Sequence, residues 1–342
     1  MAKKYISRGQ HPLTQHSLSR RGFLVGSGGA ILAFAAACSS DSDSGGSSET
    51  GVTVEHKYGS TEVPADPQRI VSVGYNDQDT VLALGGTLVG TFDWYGDYPN
   101  GLWPWAQEAA GDQKPEIVAA ASGGIDFEKV AGAAPDLIVA TYSGLTQADY
   151  DKLSAIAPTV AQPAQFADYG VPWQHQTAIL GEALGKSGEA TELAASVDAD
   201  FENARVANPT FEGKTVLVGA LKGPGQFGVY GAEDPKVRFF TELGFANPPV
   251  LDQITGNFAE ISTEQLSLAE VDLLVWYAGG GFGDKLRAEL DKTPLYQELQ
   301  VVKDGRAIIL EDEAAEAMTW STVLSLPYAL NEIPSRVAPL VQ

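Results

Sequence analysis

The chain has 342 residues, of which 44% are hydrophobic and 9% aromatic, a composition that predicts one bilobal globular unit or two domains. Five of the 22 basic residues and none of the 44 acidic residues lie in the first 37 positions, so the remainder carries a formal charge of −27, which disfavours nucleic acid and anionic lipid as partners. A single cysteine, Cys38, excludes internal disulfides and multi-cysteine metal sites, and only His56 and His175 lie beyond residue 37, so a multi-histidine site is excluded too.

The N-terminus has the pattern of an export signal. Arg20 and Arg21 precede an apolar run, and small residues lead up to Cys38. The segment 1–37 resembles a twin-arginine signal with a lipoprotein cleavage site, which implies that Cys38 becomes the lipid-bearing N-terminus. The alternative is a weak N-terminal anchor helix with Cys38 as an incidental thiol. Residues 38–51 contain no large apolar side chain and are predicted to form a flexible tether.

Beyond the tether, short apolar runs rich in β-branched residues alternate with helical patterns. This alternation predicts an α/β fold with largely parallel sheets. The predicted strands are 69–73, 87–92, 136–139, 215–218, 272–276 and 306–310.

An internal repeat indicates that the fold has two similar lobes. Glu128-x7-Asp136-Leu-Ile-Val139 matches Glu264-x7-Asp272-Leu-Leu-Val275, and each unit reads as a short helix followed by a buried strand. Between the two halves, residues 189–207 carry one apolar stripe at helical spacing and end before Asn208-Pro209. We expect one long helix that connects the lobes and permits only a small hinge motion. The alternative is an ordinary packing helix within one lobe.

Seven short motifs, each present once, follow one another in a specific order along the chain. Together they resemble the substrate-binding lipoproteins of bacterial ABC importers for ferric siderophores, haem and cobalamin. The motifs are Val63-Pro-x-x-Pro67-Gln-Arg-Ile-Val-Ser72, Gly96-Asp-Tyr-Pro99, Phe127-Glu-Lys-Val130, Pro135-Asp-Leu-Ile-Val139, Ala157-Pro-Thr-Val160, Ile261-Ser-Thr-Glu-Gln265 and Arg306-Ala-Ile-Ile309.

The resemblance implies two Rossmann-like lobes, 52–185 and 209–342, joined by a single linker helix at 186–208, with the ligand in the cleft between them. It also implies a monomer that is exported, anchored by lipid to the outer face of the cytoplasmic membrane, and works with an ABC permease. No cofactor or direct metal site is expected, because the iron is carried within the siderophore.

On this interpretation, loops after the strands line the cleft, and aromatic side chains dominate them. Rings bind the broad apolar surface of a metal–siderophore complex with little loss of conformational entropy. Trp103, with Trp105, is either a cleft wall or a loop staple. The predicted ligand-binding residues are Tyr75, Asn76, Trp94, Tyr95, Trp103, Tyr142, Lys222, Gln226, Phe227, Arg238, Trp276, Tyr277, Met318 and Trp320.

Glu128 and Glu264 occupy equivalent places in the repeat. In the family that the chain resembles, glutamates at these motif positions project from the lobe tips and pair with permease arginines, which implies the same role here. The alternative is two solvated glutamates near helix N-termini, where a carboxylate offsets the helix dipole.

An exported, cofactor-dependent oxidoreductase is the main competing function. Gly223-Pro-Gly-Gln-Phe-Gly228 fits the dinucleotide spacing G-x-G-x-x-G, but residues 228–231 read as strand and Pro224 removes a backbone donor. The mature chain has no Gly-x-Ser-x-Gly turn, and neither His56 nor His175 has a nucleophile paired with it in a recognisable motif, so the sequence does not predict an enzyme.

The charge distribution predicts the class of ligand. Few basic residues reach the predicted cleft, so a neutral or cationic ferric complex of hydroxamate type is favoured over a tris-catecholate anion. Haem and cobalamin remain alternatives for the same fold. A second alternative is an anion clamp formed by convergence of Lys114, Lys222 and Arg238.

Overall fold

The computed structural model describes residues 51–342 except Asp97 and Thr255. The predicted signal, Cys38 and residues 38–50 of the predicted tether lie outside the described residues. The first lobe contains β1 (Val52–His56), β2 (Gly59–Val63), β3 (Ile70–Ser72), α1 (Asp77–Ala83), β4 (Leu88–Asp93), α2 (Gln107–Ala110), β5 (Glu116–Ala120), β6 (Gly124–Ile125), α3 (Phe127–Gly132), β7 (Leu137–Ala140), α4 (Gln147–Ser154), β8 (Thr159–Ala161) and α5 (Trp173–Ala183).

The N-terminal lobe is built around a six-stranded sheet with the order β6-β5-β4-β3-β7-β8. All neighbouring strands are parallel except β5 and β6, and β1 and β2 form a separate antiparallel hairpin. Each residue of β7, from Leu137 to Ala140, is buried, as expected for a central parallel strand with both faces covered.

The second lobe follows the connecting helix α6 (Ser187–Ala207). Its elements are β9 (Val216–Gly223), β10 (Gln226–Tyr230), α7 (Pro235–Glu242), β11 (Phe258–Ile261), β12 (Leu273–Tyr277), α8 (Gly283–Asp291), α9 (Pro294–Glu298), α10 (Gln300–Lys303), β13 (Ala307–Leu310), α11 (Glu313–Trp320) and α12 (Ser325–Val337).

The C-terminal sheet has five strands in the order β11-β10-β9-β12-β13. Strands β9, β12 and β13 are parallel, whereas β10 pairs antiparallel with both β9 and β11. The Gly223–Gly228 segment therefore spans the turn of the β9–β10 hairpin. A dinucleotide turn must instead lead from a strand directly into a helix N-terminus, so this segment does not have the geometry for pyrophosphate binding.

Helix α6 joins the cores of the two lobes. Near its N-terminus Ala190 is buried in the core of the first lobe, and further along Val197 and Phe201 are buried in the core of the second. Phe201 contacts Phe239 of α7 edge to face, with ring centroids 5.7 Å apart. One helix anchored in both cores is stiffer than a pair of extended strands, which agrees with the expectation of a small hinge motion.

The architecture predicted from the sequence is confirmed as a two-lobed α/β fold. Each of the six predicted strands is observed, and the helix predicted over 189–207 begins two residues earlier, at Ser187. Within residues 51–342, Asp97 and Thr255 apart, no helix has both the length and the apolar character needed to span a bilayer.

Candidate functional site

The carboxyl ends of the two sheets face each other across a cleft. Tyr95, after β4, and Tyr277, the last residue of β12, bring their hydroxyl oxygens within 3.0 Å. Next to them, the Asn76 side-chain amide, after β3, donates to the backbone carbonyl of Trp320 at 2.6 Å. Crevices outside the carboxyl ends of parallel strands are where open α/β sheets bind ligands, so the site is placed by topology.

The N-terminal wall of the cleft is aromatic. Tyr75 is central, with its ring centroid 5.2 Å from that of Trp94 and 5.3 Å from that of Tyr169. Tyr142 packs edge to face on Tyr169 at 5.7 Å. Tyr75, Trp94 and Tyr169 are partly exposed, so ring surface remains available, whereas Tyr142 is buried behind them.

Tyr169 is a component of this wall that the sequence did not reveal. Its φ is +60°, a left-handed conformation that tyrosine rarely adopts and that the surrounding contacts must hold in place. Its hydroxyl donates to the Ser143 carbonyl at 3.1 Å, and its own carbonyl accepts from the Asn257 amide of the other lobe at 3.3 Å. The strained loop therefore holds this ring against Tyr75.

The C-terminal wall combines tyrosines with a buried lysine. Lys236, in the first turn of α7, forms a buried ion pair with Asp234 at 3.0 Å. Its Nζ lies 4.0 Å from the ring centroid of Tyr230 and 5.3 Å from that of Tyr277, as in a cation–π contact. Burial is the largest single influence on the pKa of Lys236 and lowers it, but Asp234, Tyr230 and Glu316 together outweigh burial and raise the pKa. Lys236 thus stays cationic, with its charge already balanced.

A carboxylate, that of Glu316, lies between the two walls. Its side chain accepts from the Tyr95 hydroxyl, from the Tyr277 hydroxyl at 2.7 Å and from the Gly280 backbone N–H at 2.8 Å. Burial and the neighbouring carboxylate both raise the pKa of Tyr277 well above its usual value, so this hydroxyl remains a donor. The cleft therefore contains an anionic group held by neutral donors.

The candidate anion clamp is not formed. Lys222 pairs with Glu260, whereas Arg238 pairs with Glu233 and donates to the Gly170 carbonyl of the other lobe at 3.0 Å. Lys114 is exposed and precedes the amino end of β5, at the opposite edge of the sheet from the cleft. Lys222 and Arg238 thus have separate partners, and Lys114 does not approach the cleft.

Below the cleft, tryptophans form a buried junction between the lobes. Trp103 stacks on Trp105 at 5.0 Å and contacts Trp320 at 4.7 Å. Trp105 Nε1 and the Thr322 hydroxyl both donate to Asp79 Oδ2, at 2.8 and 2.7 Å. Of the two roles considered for Trp103 and Trp105, the structure supports the loop staple, because Trp103 is only 4% exposed.

Six of the predicted ligand-binding residues are buried in this structure, away from the surface of the cleft. Phe227, Trp276 and Met318 belong to the hydrophobic core of the C-terminal lobe. Asn76, Trp103 and Trp320 are buried at the junction, where their surfaces are used by neighbouring residues.

Lys222 and Gln226 are exposed on the β9–β10 hairpin, beyond the edge of the sheet, because β9 pairs with β12 only as far as Ala220 and Tyr277. Of the predicted residues, Tyr75, Trp94, Tyr95, Tyr277 and Arg238 lie at the cleft, and Tyr142 is buried directly behind its wall.

Two cavities open beside the aromatic wall. One, of about 360 Å³, lies at the carboxyl ends of β3, β4 and β5 and is lined in part by Tyr75 and Phe127. The other, of about 520 Å³, lies between the lobes, with Gly170 on one side and Glu233 and Asn257 on the other. Tyr75 lines the first cavity, and Gly170, which follows Tyr169 in the chain, lines the second, so both cavities lie close to the aromatic wall.

Glu128 and Glu264 are both exposed and occupy the first turns of short helices that precede β7 and β12. Asp126 caps the first of these helices, and Ser262 caps the second. Among the residues described, neither glutamate has an intramolecular hydrogen bond or ion pair, so both carboxylates are available to a partner. Over the same part of the chain, no group of three or more His, Cys, Asp or Glu side chains is arranged to hold a metal ion.

Two open α/β sheets that face one aromatic cleft and are braced by a single helix define a bilobal substrate-binding protein. The chain belongs to the periplasmic binding protein family, whose sequence profile matches residues 70–314. This membership confirms the resemblance identified from the motifs.

Named relatives cover most of the chain. It is 26% identical over 326 residues to the probable siderophore-binding lipoprotein YfiY of Bacillus subtilis (strain 168), covering 89% of this chain and 94% of that protein. It is also 26% identical over 310 residues to the iron(3+)-hydroxamate-binding protein YxeB of the same organism, covering 84% of this chain and 88% of that one. PiaA of Streptococcus pneumoniae TIGR4, solved in complex with ferrichrome, superposes with a TM-score of 0.74 at 27% identity, covering 85% of this chain and 98% of PiaA.

Proposed function

We propose that this protein captures a ferric siderophore outside the cell, with hydroxamate-type complexes favoured, and delivers it to an ABC permease. The observation that carries the proposal is the cleft itself, where Tyr75, Trp94 and Tyr169 present partly exposed rings beside two cavities. Rings of this kind suit the apolar shell of an iron chelate. Relatives of the chain are named for binding siderophores and iron(3+)-hydroxamate.

The charges around the cleft support a neutral or cationic ligand. Lys236 is neutralised by Asp234, Arg238 by Glu233, and the Glu316 carboxylate has no ion-pair partner among the described residues. A tris-catecholate complex carries about three negative charges and would need uncommitted cations, because desolvating an unpaired anion is costly. A neutral or cationic tris-hydroxamate complex does not need such uncommitted cations.

Binding without catalysis is the proposed activity. The family consists of binding proteins, and the glycine-rich segment at 223–228 forms a hairpin turn. The exported oxidoreductase considered at the outset has no observation in its favour, and neither haem nor cobalamin is supported by a particular contact. The iron is treated as cargo within the ligand, with no cofactor of the protein involved.

Export and anchoring complete the proposed function. Relatives named as lipoproteins support a lipid on Cys38 and a location at the outer face of the cytoplasmic membrane. Glu128 and Glu264, exposed and without intramolecular partners, are proposed to pair with basic residues of the permease, one from each lobe. We propose that the protein acts as a monomer, since two matched contact points on one chain are sufficient to orient it on the permease.

A titration tests the proposed ligand class. The mature protein is titrated with ferrioxamine B, a ferric tris-catecholate, haemin, cobalamin and reduced nicotinamide cofactors while tryptophan fluorescence is recorded. We expect micromolar or tighter binding of the hydroxamate complex. Trp94→Phe should remove much of the signal, because Trp94 lies in the cleft wall, whereas Trp173→Phe should retain it, because Trp173 is buried in α5. Binding restricted to haemin, cobalamin or a nicotinamide cofactor would overturn the proposal.

A further inference from the structure

Within the described part of the chain, Glu316 is a buried carboxylate of the cleft that has no ion-pair partner. It is 5% exposed and lies in the first turn of α11, directly after β13. Its three hydrogen-bond donors, from Tyr95, Tyr277 and Gly280, are all uncharged. Lys236 also acts on it electrostatically, but Lys236 is ion-paired with Asp234 at 3.0 Å. These groups together leave one net negative charge in this part of the cleft.

The position of this charge relates it to the ligand. Tyr95 comes from the N-terminal lobe and Tyr277 from the C-terminal lobe, and both are partly exposed. Their hydroxyls lie within 3.0 Å of each other and converge on the same carboxylate oxygen, Glu316 Oε2. A ligand that lies over this pair contacts hydroxyls from both lobes. It then approaches a carboxylate in an environment of low dielectric constant, where charge interactions are strong.

We infer that Glu316 sets the charge selectivity of the cleft by accepting an ammonium or hydroxyl donor from the ligand and repelling anionic ferric complexes. This inference rests on the proposed function and deepens it, since it assigns the preference for neutral or cationic complexes to one side chain. An unpaired buried charge discriminates by repulsion as well as by attraction, which is how specificity against a competing ligand is commonly obtained.

A purely structural role for Glu316 makes a different prediction. If the carboxylate served only to join Tyr95 to Tyr277, its replacement would weaken the binding of all ferric complexes to a similar extent. If it selects charge, replacement must change the ratio of affinities between complexes of different charge. The informative measurement is therefore this ratio, together with the dissociation constants from which it is calculated.

The first experiment uses Glu316→Gln, which keeps the size and most hydrogen bonds of the side chain and removes its charge. Dissociation constants are measured for ferrioxamine B, an iron(III) tris-hydroxamate with a protonated amine arm, and for a ferric tris-catecholate. We expect about a tenfold loss for ferrioxamine B and at least that gain for the tris-catecholate. Glu313→Gln is the matched control, because Glu313 lies on the same helix, is exposed and binds Tyr98 and Tyr328 instead. It should leave both constants unchanged.

A second measurement does not depend on the folding of any variant. The wild-type protein is titrated with ferrioxamine B and with its N-acetylated form, which is neutral but otherwise alike. We expect acetylation to weaken binding about tenfold. Equal affinities for the two forms, or an unchanged ratio in Glu316→Gln, would overturn the inference while leaving the proposed function intact. If the wild-type protein bound no ferric complex, both would be overturned.

Discussion

The junction carboxylate Asp79 makes the stability of the protein depend on pH. It is 1% exposed, and burial raises its pKa from 3.8 to about 7 despite the hydrogen bonds that it accepts from Thr322 and Trp105. In the unfolded chain this carboxyl ionises near pH 4, so from there to pH 7 the folded state holds a proton that the unfolded state has lost. Stability is therefore lost as the pH rises over that range, by roughly 4 kcal/mol for about three pH units at 1.36 kcal/mol each.

Asp79→Asn should remove this dependence. The amide oxygen can accept from both Thr322 and Trp105, but the new NH2 group is buried without a known partner, which costs about 1–2 kcal/mol. The variant should therefore be slightly less stable than wild type at pH 4 and about 2–3 kcal/mol more stable at pH 8.

Urea unfolding at pH 4, 6 and 8 measures the difference between variant and wild type, so the contribution of Asp77, another buried carboxyl, cancels. Asp284→Asn, on an exposed side chain of α8, is the control and should show no such trend. A stability difference for Asp79→Asn that stays constant from pH 4 to pH 8 would refute the reasoning, because it would mean that ionising Asp79 in the folded protein is not costly.

Three further predictions concern transport. Glu128→Ala combined with Glu264→Ala should abolish uptake of a radiolabelled ferric complex while the dissociation constant for that complex stays at the wild-type value. Normal uptake by this variant would show that the two glutamates have no role in docking. Cys38→Ala should shift the protein from the membrane fraction into the medium, and continued membrane retention would contradict lipidation. Because α6 is anchored in both cores, solution scattering should show only a small compaction on ligand addition; a large decrease in radius of gyration would contradict this bracing role.

Much of the fold could be predicted because its signals are local. The strand at Leu137–Ala140 is a short apolar run, and its counterpart at Leu273–Tyr277 has the same signal in the second half. The apolar stripe and the Asn208-Pro209 stop located α6 within two residues at its start. These features depend on periodicity and on the chemistry of element ends, which a single sequence carries.

The candidate site was harder to predict, because side chains alternate between the two faces of a strand. The sequence located the ends of the strands well. However, consecutive residues at a strand end were all assigned to the cleft, although their side chains point to opposite faces of the sheet. At the end of β12, Tyr277 reaches the cleft whereas Trp276 packs in the core, and Phe227 is likewise buried next to the exposed Gln226. Applying this alternation would have separated the members of each pair.

Three important residues were missed for different reasons. Glu316 follows β13 by one helical turn, and the rule that loops after strands line the cleft could have included it. Lys236 lies directly after the Asp234-Pro235 helix start, but its burial beside Tyr230 depends on tertiary packing. Tyr169 lies in a loop whose left-handed conformation has no signal in the sequence.

The junction below the cleft also links folding to completion of the chain. Asn76 and Asp79 find their partners in Trp320 and Thr322, which lie 244 and 243 positions later in the sequence. Contacts of such long range form late, since closing a large loop must precede them. During synthesis Trp103 and Trp105 of the N-terminal lobe thus remain exposed until α11 and α12 have been made. A chain truncated before these helices would leave the tryptophan surface exposed to solvent. It should therefore be degraded and should aggregate more readily than the full-length protein.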